Sequence, residues 1–243
     1  MIENEAYIDK YNTRIKAEEY AKMAWPVFAD SSVSEPFYAS IALLVNKYAG
    51  RSAQPRPSFL EVGFGAGRTL YDIHMSGRAG RITGIEQSPA MLEIADKILI
   101  RQDSIDIDRK TMVGKGLTNI ELLKGSIQHI PFGDNTFHFL VCINVLDRIK
   151  DTIKGISELV RVLLPDGILI VATAFDYGSI TSKNQRLSQE RLVQAFVFRD
   201  CSLIEKQKTN CLRIPVAFQG NLLNIYMSLK KQPRKYKQYD RAI

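Results

Sequence analysis

Few stretches of this chain combine residue types that could do chemistry, and one stands out: Glu61-Val62-Gly63-Phe64-Gly65-Ala66-Gly67. Closely spaced glycines after a short apolar run let bare main chain approach a ligand, because no Cβ stands in the way. In an open α/β sheet, ligands rest beyond the carboxyl ends of the strands, where such a turn falls. A second residue fits the same picture. Glu86 ends the next apolar run, 23 positions beyond Gly63. A carboxylate about 20 residues past a glycine turn can accept both hydroxyls of a ribose. Turn and carboxylate together suggest a ligand containing adenosine.

The spacing narrows the ligand further. A dinucleotide site calls for G-x-G-x-x-G, and a phosphate loop for a Gly-Lys-Ser/Thr ending. This chain has G-x-G-x-G, with Arg68 at the third glycine position of the dinucleotide pattern. A turn without a dedicated phosphate cradle suits an adenosine ligand lacking phosphates, such as S-adenosyl-L-methionine.

The elements that must position these residues follow from hydrophobic periodicity. The first fifty residues read as helical. Ile8, Tyr11, Ile15, Tyr20, Met23 and Ala24 recur at helical spacing up to Pro26, and a second apolar helix runs from Phe37 to Tyr48. Strands are expected at 58–62, 81–85, 119–124, 137–143 and 167–173, with helices at 69–75, 89–101 and 152–163 between them. Ser88 and Pro89 are good start signals for one of those helices. Strands alternating with helices argue for a mostly parallel sheet covered on both faces. After a helix at 189–198, strands at 202–209 and 221–229 complete a sheet of seven with an antiparallel edge hairpin. The organisation expected is a helical cap over 1–50, a main domain over 51–230 that forms a single domain with the cap, and a basic tail over 231–243.

Composition sets the outer bounds. The 243 residues are 45% hydrophobic and 24% charged, an ordinary globular balance. Cys142, Cys201 and Cys211 form no CxxC or Cys/His group, which argues against a zinc site and a disulfide framework. The charged start lacks the apolar core of a signal peptide, and no apolar run approaches the roughly 20 residues of a membrane helix. A cytoplasmic protein is expected. The formal charge is +7, and the excess is partly local, in Lys230, Lys231, Arg234, Lys235, Lys237 and Arg241. Such a tail can meet nucleic acid, but without an interleaved aromatic pattern it reads as a solvated terminus.

Residues 58–175 resemble the class I S-adenosylmethionine-dependent methyltransferases in five segments, taken in order. Glu61 to Gly67 is similar to the family's E/D-x-G-x-G-x-G. Gly84-Ile85-Glu86-Gln87-Ser88-Pro89-Ala90-Met91-Leu92 looks like G-x-D/E-x-S-x-x-M-L. Gly125 to Phe132 with Asp134 to Phe137 looks like GDAxxLPFxDxSFD. Asn144-Val145-Leu146 falls at the fourth-strand end, and Glu158 to Gly167 is similar to ExxRVLKPGG. The resemblance implies a Rossmann-like fold, S-adenosyl-L-methionine as cofactor, and a role for each matching residue. Glu61 and the backbone of Gly63, Gly65 and Gly67 would hold the methionine part. Glu86 would bind the ribose, with Gln87 and Met91 near ribose and adenine. Ser126 and Ile127 would meet the adenine edge, and Asn144 and Val145 would line the sulfonium. Tyr20 is similar to an N-terminal tyrosine that closes over the methionine carboxylate in relatives. Two departures stand out: Ser126 replaces the usual Asp, and Asp166-Gly167 the usual glycine pair.

No catalytic residue is assigned, because an activated methyl donor leaves alignment and water exclusion as the main tasks. Trp25, Asp147 and Arg148 are candidates for touching the acceptor, although Trp25, Phe28 and Phe37 also read as helix packing. His129 reads as a rim or structural histidine, His74 and His138 as structural, and Cys142 as core. The expected function is methyl transfer to a small-molecule acceptor. The alternatives are an RNA methyltransferase, suggested by the basic tail, and a cofactor-binding protein without catalysis, suggested by Ser126. Against the RNA reading, Asn144-Val145-Leu146-Asp147 is not the Asn/Asp-Pro-Pro-Tyr/Phe of enzymes that methylate base amino groups.

Overall fold

A computed structural model of the chain describes residues 12–28, 35–107, 109–174, 189–209 and 224–232. Two helices come first, α1 (Arg14–Ala24) and α2 (Glu35–Ala49), separated by a 3-10 turn at Pro26–Phe28. Thr13 starts α1 by accepting from the Lys16 amide. The buried stripe of α1 is Ala17, Ala21 and Ala24, while Ile15 is 69% exposed. Small residues, rather than the larger ones that carry the sequence periodicity, let α1 lie close to its neighbours. Ile8 and Tyr11, read as part of the same helix, lie outside the described residues.

The alternating section follows as expected: β1 (Phe59–Val62), α3 (Arg68–Met75), β2 (Ile82–Glu86), α4 (Pro89–Leu99), β5 (Ile120–Lys124), β6 (Phe137–Ile143), α5 (Thr152–Val162) and β7 (Leu163–Ala174). Ser88 caps α4 by accepting from the Met91 amide, and Asp151 caps α5 by accepting from Lys154. Between α4 and β5 a two-stranded antiparallel hairpin, β3 (Ser104–Ile107) with β4 (Lys110–Val113), stands apart from the main sheet and packs against the 3-10 turn. The sequence reading did not anticipate it. The chain continues through α6 (Gln189–Val197), β8 (Cys201–Thr209) and β9 (Asn224–Lys231).

The main sheet has seven strands in the order β5-β2-β1-β6-β7-β9-β8. The first five are parallel, and β9 runs antiparallel to both β7 and β8. The expected hairpin is therefore present, with its second strand inserted beside β7 and its first strand left at the edge. One face carries a core shared by α1 to α4, including Phe37, Phe59, Leu70 and Ile73. The other face packs Leu60, Val62, Leu140 and Val171 against Ile156, Leu159 and Phe196 of α5 and α6. This is the covered, mostly parallel Rossmann-like sheet. Residues 175–188, and 210–223 between the two hairpin strands, lie outside the described residues. Lys231, assigned to the tail by its charge, closes β9. Its ammonium donates to the carbonyls of Val160 and Leu163 and to Asn135 Oδ1, at 2.6–2.8 Å. No described helix is long and apolar enough to cross a membrane.

Candidate functional site

Strand register builds the site. Val62 pairs with Ile85 on one side and Cys142 on the other, so the ends of β1, β2 and β6 lie level. Gly63, Glu86 and Asn144 therefore emerge side by side at the carboxyl edge of the sheet, where open α/β sheets hold their ligands. A cleft open to solvent lies there. Gly63, Gly65, Val62, Ile85 and Ile143 form its base, and Tyr20, Glu86, Gln87, Met91, Ile127 and Arg148 are among the walls.

Two glycines at the base carry positive φ, +76° at Gly63 and +54° at Gly65. A Cβ on Gly63 would stand 2.3 Å from Val145 Cγ2, and one on Gly65 would stand 2.7 Å from the Tyr20 ring. The turn is thus tight from both sides and left-handed, which only glycine accommodates without strain. Gly67, also expected in the binding turn, does not line the cleft. It caps α3, and its Cα faces Leu99.

Glu86 clasps the turn. Its Oε2 accepts from the Gly65 amide at 2.9 Å, and its Oε1 accepts from the amides of Gln87 and Ser88 at 2.8 and 2.9 Å. Burial raises the Glu86 pKa above the ordinary carboxylate value. The three amides and the positive charge of Arg148 act in the opposite direction, favouring the ionised form. Each carboxylate oxygen retains acceptor capacity toward the cleft.

Glu61 is 2% exposed, on the face of β1 beneath the start of α3. The Thr69 hydroxyl and the Leu70 amide hydrogen-bond its carboxyl, but burial outweighs them and, with Asp72 and Glu86 nearby, pushes the pKa up to about 8. Its Oε2 is buried without a hydrogen-bond partner among the described residues, as is Oδ1 of Asn144, a cleft residue held at φ +52°. Glu61 itself does not reach the cleft lining.

The N-terminal helices close one side. Tyr20 stands over Gly65. Trp25, a candidate acceptor residue by sequence, is placed elsewhere: it is 4% exposed, donates from Nε1 to the Ala66 carbonyl at 2.9 Å, and packs against Tyr71. The packing alternative weighed for it is the one its surroundings match. Arg68 donates to the Ala24 carbonyl and pairs with Asp72, with its guanidinium over the rings of Trp25 and Tyr38. Neither Arg68 nor Tyr38 was singled out by sequence. The arginine was noticed only as a missing glycine, and Tyr38 sits in an unbroken apolar helical run.

At the opposite end Met91 and Ile127 line the cleft, with Gln87 exposed at the rim. Ser126 does not line it. Its hydroxyl accepts from the Gln128 amide in a local turn, and Gly125 and Ile127 face the space instead. Of the two polar residues after β6, Arg148 lines the cleft and Asp147 does not; the pair lies 3.8 Å apart. His129 bridges back to Ser126 through backbone, and His138 bonds Ser58 at the amino end of the strands, away from the cleft. Cys142 is fully buried, and burial pushes its thiol well above its usual pKa.

A family described as a methyltransferase domain matches residues 60–171. An uncharacterized methyltransferase of Schizosaccharomyces pombe is 25% identical over 138 residues, 57% of this chain and 47% of that protein. A demethylmenaquinone methyltransferase of Desulfitobacterium hafniense is 28% identical over 119 residues, 49% of this chain and 42% of that protein. The chain thus spans less than half the length of these curated relatives. Among solved structures, magnesium protoporphyrin IX methyltransferase of Synechocystis PCC 6803 superposes with a TM-score of 0.66 at 11% identity, covering 96% of this chain and 98% of that one, a likeness of fold. The matched segment contains the glycine turn, the Glu86 clasp and the β6 end, and over residues 60–171 the chain is similar to the methyltransferase domain.

Proposed function

We propose that this chain binds S-adenosyl-L-methionine along the cleft and transfers its methyl group to a small-molecule acceptor. The observation that carries the reading is the clasp of Glu86 on the Gly65 amide, at the level carboxyl ends of β1 and β2. That geometry sets a carboxylate able to accept from ribose hydroxyls beside a turn with no room for side chains.

The residues fit the cofactor. Gly63 and Gly65 give main-chain access for the amino-acid part, and the buried Asn144 Oδ1 can accept from a donor such as an ammonium group. Glu86 accepts from the ribose hydroxyls, and Met91 and Ile127 offer apolar surface to the purine. Arg148 offers a guanidinium at the same wall. When bound, the cofactor supplies an activated methyl group that an acceptor lone pair displaces in line. The chain's own contribution is alignment and the exclusion of water beneath the N-terminal helices. A demethylmenaquinone methyltransferase among the relatives supports a small-molecule acceptor.

Isothermal titration with S-adenosylhomocysteine tests the site. Glu86→Ala is expected to weaken binding at least about tenfold, the equivalent of one charge-assisted hydrogen-bond pair. Unchanged affinity contradicts the ribose contact. Incubation with methyl-labelled S-adenosylmethionine and fractionated cell extract reads out the acceptor. Label in a small-molecule fraction is expected, and label only in RNA would overturn the acceptor class.

A further inference from the structure

The end of the sheet opposite the cleft carries a charge pattern of its own. Residues 37–60 and 73–85 contain no Asp or Glu, yet they hold Lys47, Arg51, Arg56, Arg78 and Arg81. The two segments meet at the amino ends of β1 and β2. There the Phe59 amide donates to the Arg81 carbonyl at 2.8 Å, and the Gly80 amide to the Pro57 carbonyl at 3.0 Å. The end of α2 reaches the same place, since a Cβ on Gly50 would stand 3.5 Å from Arg78 Cζ. A Cβ on Gly80 would stand 3.1 Å from Arg56 Cβ. Arg51 (next to Gly50), Arg56 and Arg78 are thus gathered on one surface. Arg81 is answered by Glu121. The other three arginines are exposed, and among the described residues their side chains have no hydrogen bond or ion pair. The fold makes no use of these charges.

The same surface has an apolar element. Met75, the last residue of α3, is 62% exposed. One turn earlier on that helix face, the Lys115 ammonium lies 5.5 Å from the Tyr71 ring centroid. Basic groups therefore stand on both sides of Met75, Lys115 over the preceding turn and Arg78 three residues beyond. A protruding apolar side chain among unpaired cations suits an anionic bilayer. Guanidinium groups meet headgroup phosphates there, and the thioether enters the boundary of the acyl chains. RNA offers phosphates but no apolar layer for Met75, and a single strand calls for exposed aromatic rings on which bases stack. Here Tyr48 is buried and Tyr71 lies beneath Lys115.

We propose that this face is a docking surface for a membrane containing anionic phospholipids, with Arg51, Arg56 and Arg78 on the phosphates and Met75 in the interface. The cleft lies at the other ends of the same strands, so the docked protein keeps it open to water. The docking does not depend on what the cleft binds.

Flotation of the full chain with vesicles supplies the test. Vesicles of phosphatidylcholine alone are compared with vesicles that also contain phosphatidylglycerol, at low and high salt. Binding to the anionic vesicles, weakened by salt, is expected. Each cation near an anionic surface is worth about fivefold in binding, so the triple variant Arg51→Ser, Arg56→Ser, Arg78→Ser is expected to lose about a hundredfold. Met75→Ser is expected to lose about threefold, at either salt concentration. Both variants change exposed side chains remote from the cleft, so they should melt like wild type and match its affinity for S-adenosylhomocysteine. That ligand reports on the cofactor reading separately. The docking surface is overturned if wild type does not prefer anionic vesicles, or if it binds a single-stranded RNA and not the vesicles. It is overturned equally if the triple variant or Met75→Ser binds the vesicles like wild type; full binding by the triple variant would move the interaction to the basic tail.

Discussion

Replacing Glu61 by Gln should remove a large part of the pH dependence of this protein's stability. The Glu61 carboxyl ionises at about 8 in the folded chain, against an ordinary value of 4.5. Between those values the native state keeps a proton that the unfolded chain has released. Stability then falls as pH rises, because the unfolded state binds fewer protons. The slope from this group is a little over 1 kcal/mol per pH unit, and across the whole window it amounts to roughly 5 kcal/mol at most. Glutamine mimics the protonated carboxyl. Its carbonyl can still accept from Thr69 and Leu70, and its amide takes the place of Oε2, which has no partner among the described residues. Urea denaturation of ligand-free wild type and Glu61→Gln at pH 5, 6, 7 and 8 checks the reasoning. The variant should be close to wild type at pH 5 and more stable by a few kcal/mol at pH 8. Parallel profiles would refute the assignment of a neutral Glu61. Under the cofactor reading, the ammonium group of bound S-adenosylhomocysteine favours the ionised carboxylate, so saturating ligand should flatten the wild-type profile.

Gly65→Ala is expected to weaken S-adenosylhomocysteine by more than about tenfold in calorimetry. The left-handed conformation alone costs about 1–2 kcal/mol for a residue with Cβ, and the new methyl group would displace Tyr20. Lys231→Met should lower stability by about 2 kcal/mol in urea, since three oxygen acceptors lose a charged donor. Truncation after Gln232, which keeps that lysine, should leave both stability and ligand affinity unchanged. A loss of affinity would mean that the terminal basic residues belong to the site.

The parts of the fold legible in the sequence are those where one physical requirement dominates. The strands of the parallel sheet are apolar runs because both of their faces are covered, and the glycines at 63 and 65 mark main chain that must turn left-handed in a crowded place. Ser88 and Pro89 announce α4 because a helix start leaves amides to be satisfied. The hairpin of β3 and β4 escaped notice because its buried residues, Ile105, Ile107 and Met112, alternate with charged and hydroxyl groups over strands only four residues long. Such a pattern is too short to stand out from a polar loop. Register placed Glu86 beside Gly65, as a sequence interval alone could only suggest. The sequence did not foretell which polar side chains would be spent on the fold. Ser126 caps a local turn, Trp25 bonds the Ala66 carbonyl, and Lys231 holds the carbonyls at the end of α5. Each of those roles depends on a partner distant in sequence or on local geometry that residue type leaves open.

The site lies on a seam, and that explains its unusual chemistry. The glycine turn belongs to the sheet, but Tyr20 and the helices behind it come from the start of the chain. Of those helices, α1 docks through small alanines, which bring backbones close and supply little apolar area per residue. Directional contacts add to that docking: Trp25 Nε1 to Ala66, Arg68 to Ala24, and the guanidinium between two aromatic rings. All converge on the segment from Ala66 to Arg68, next to the glycine turn. The same contacts that hold the N-terminal helices in place therefore also set the shape of the cleft. Bringing Glu61 under this layer excludes water from its carboxyl, and burial without a partner for one oxygen keeps it protonated near neutral pH. Under the cofactor reading, a cationic group bound in the cleft would act on Glu61 through space, favouring its ionised form and linking ligand affinity to the protonation of this residue.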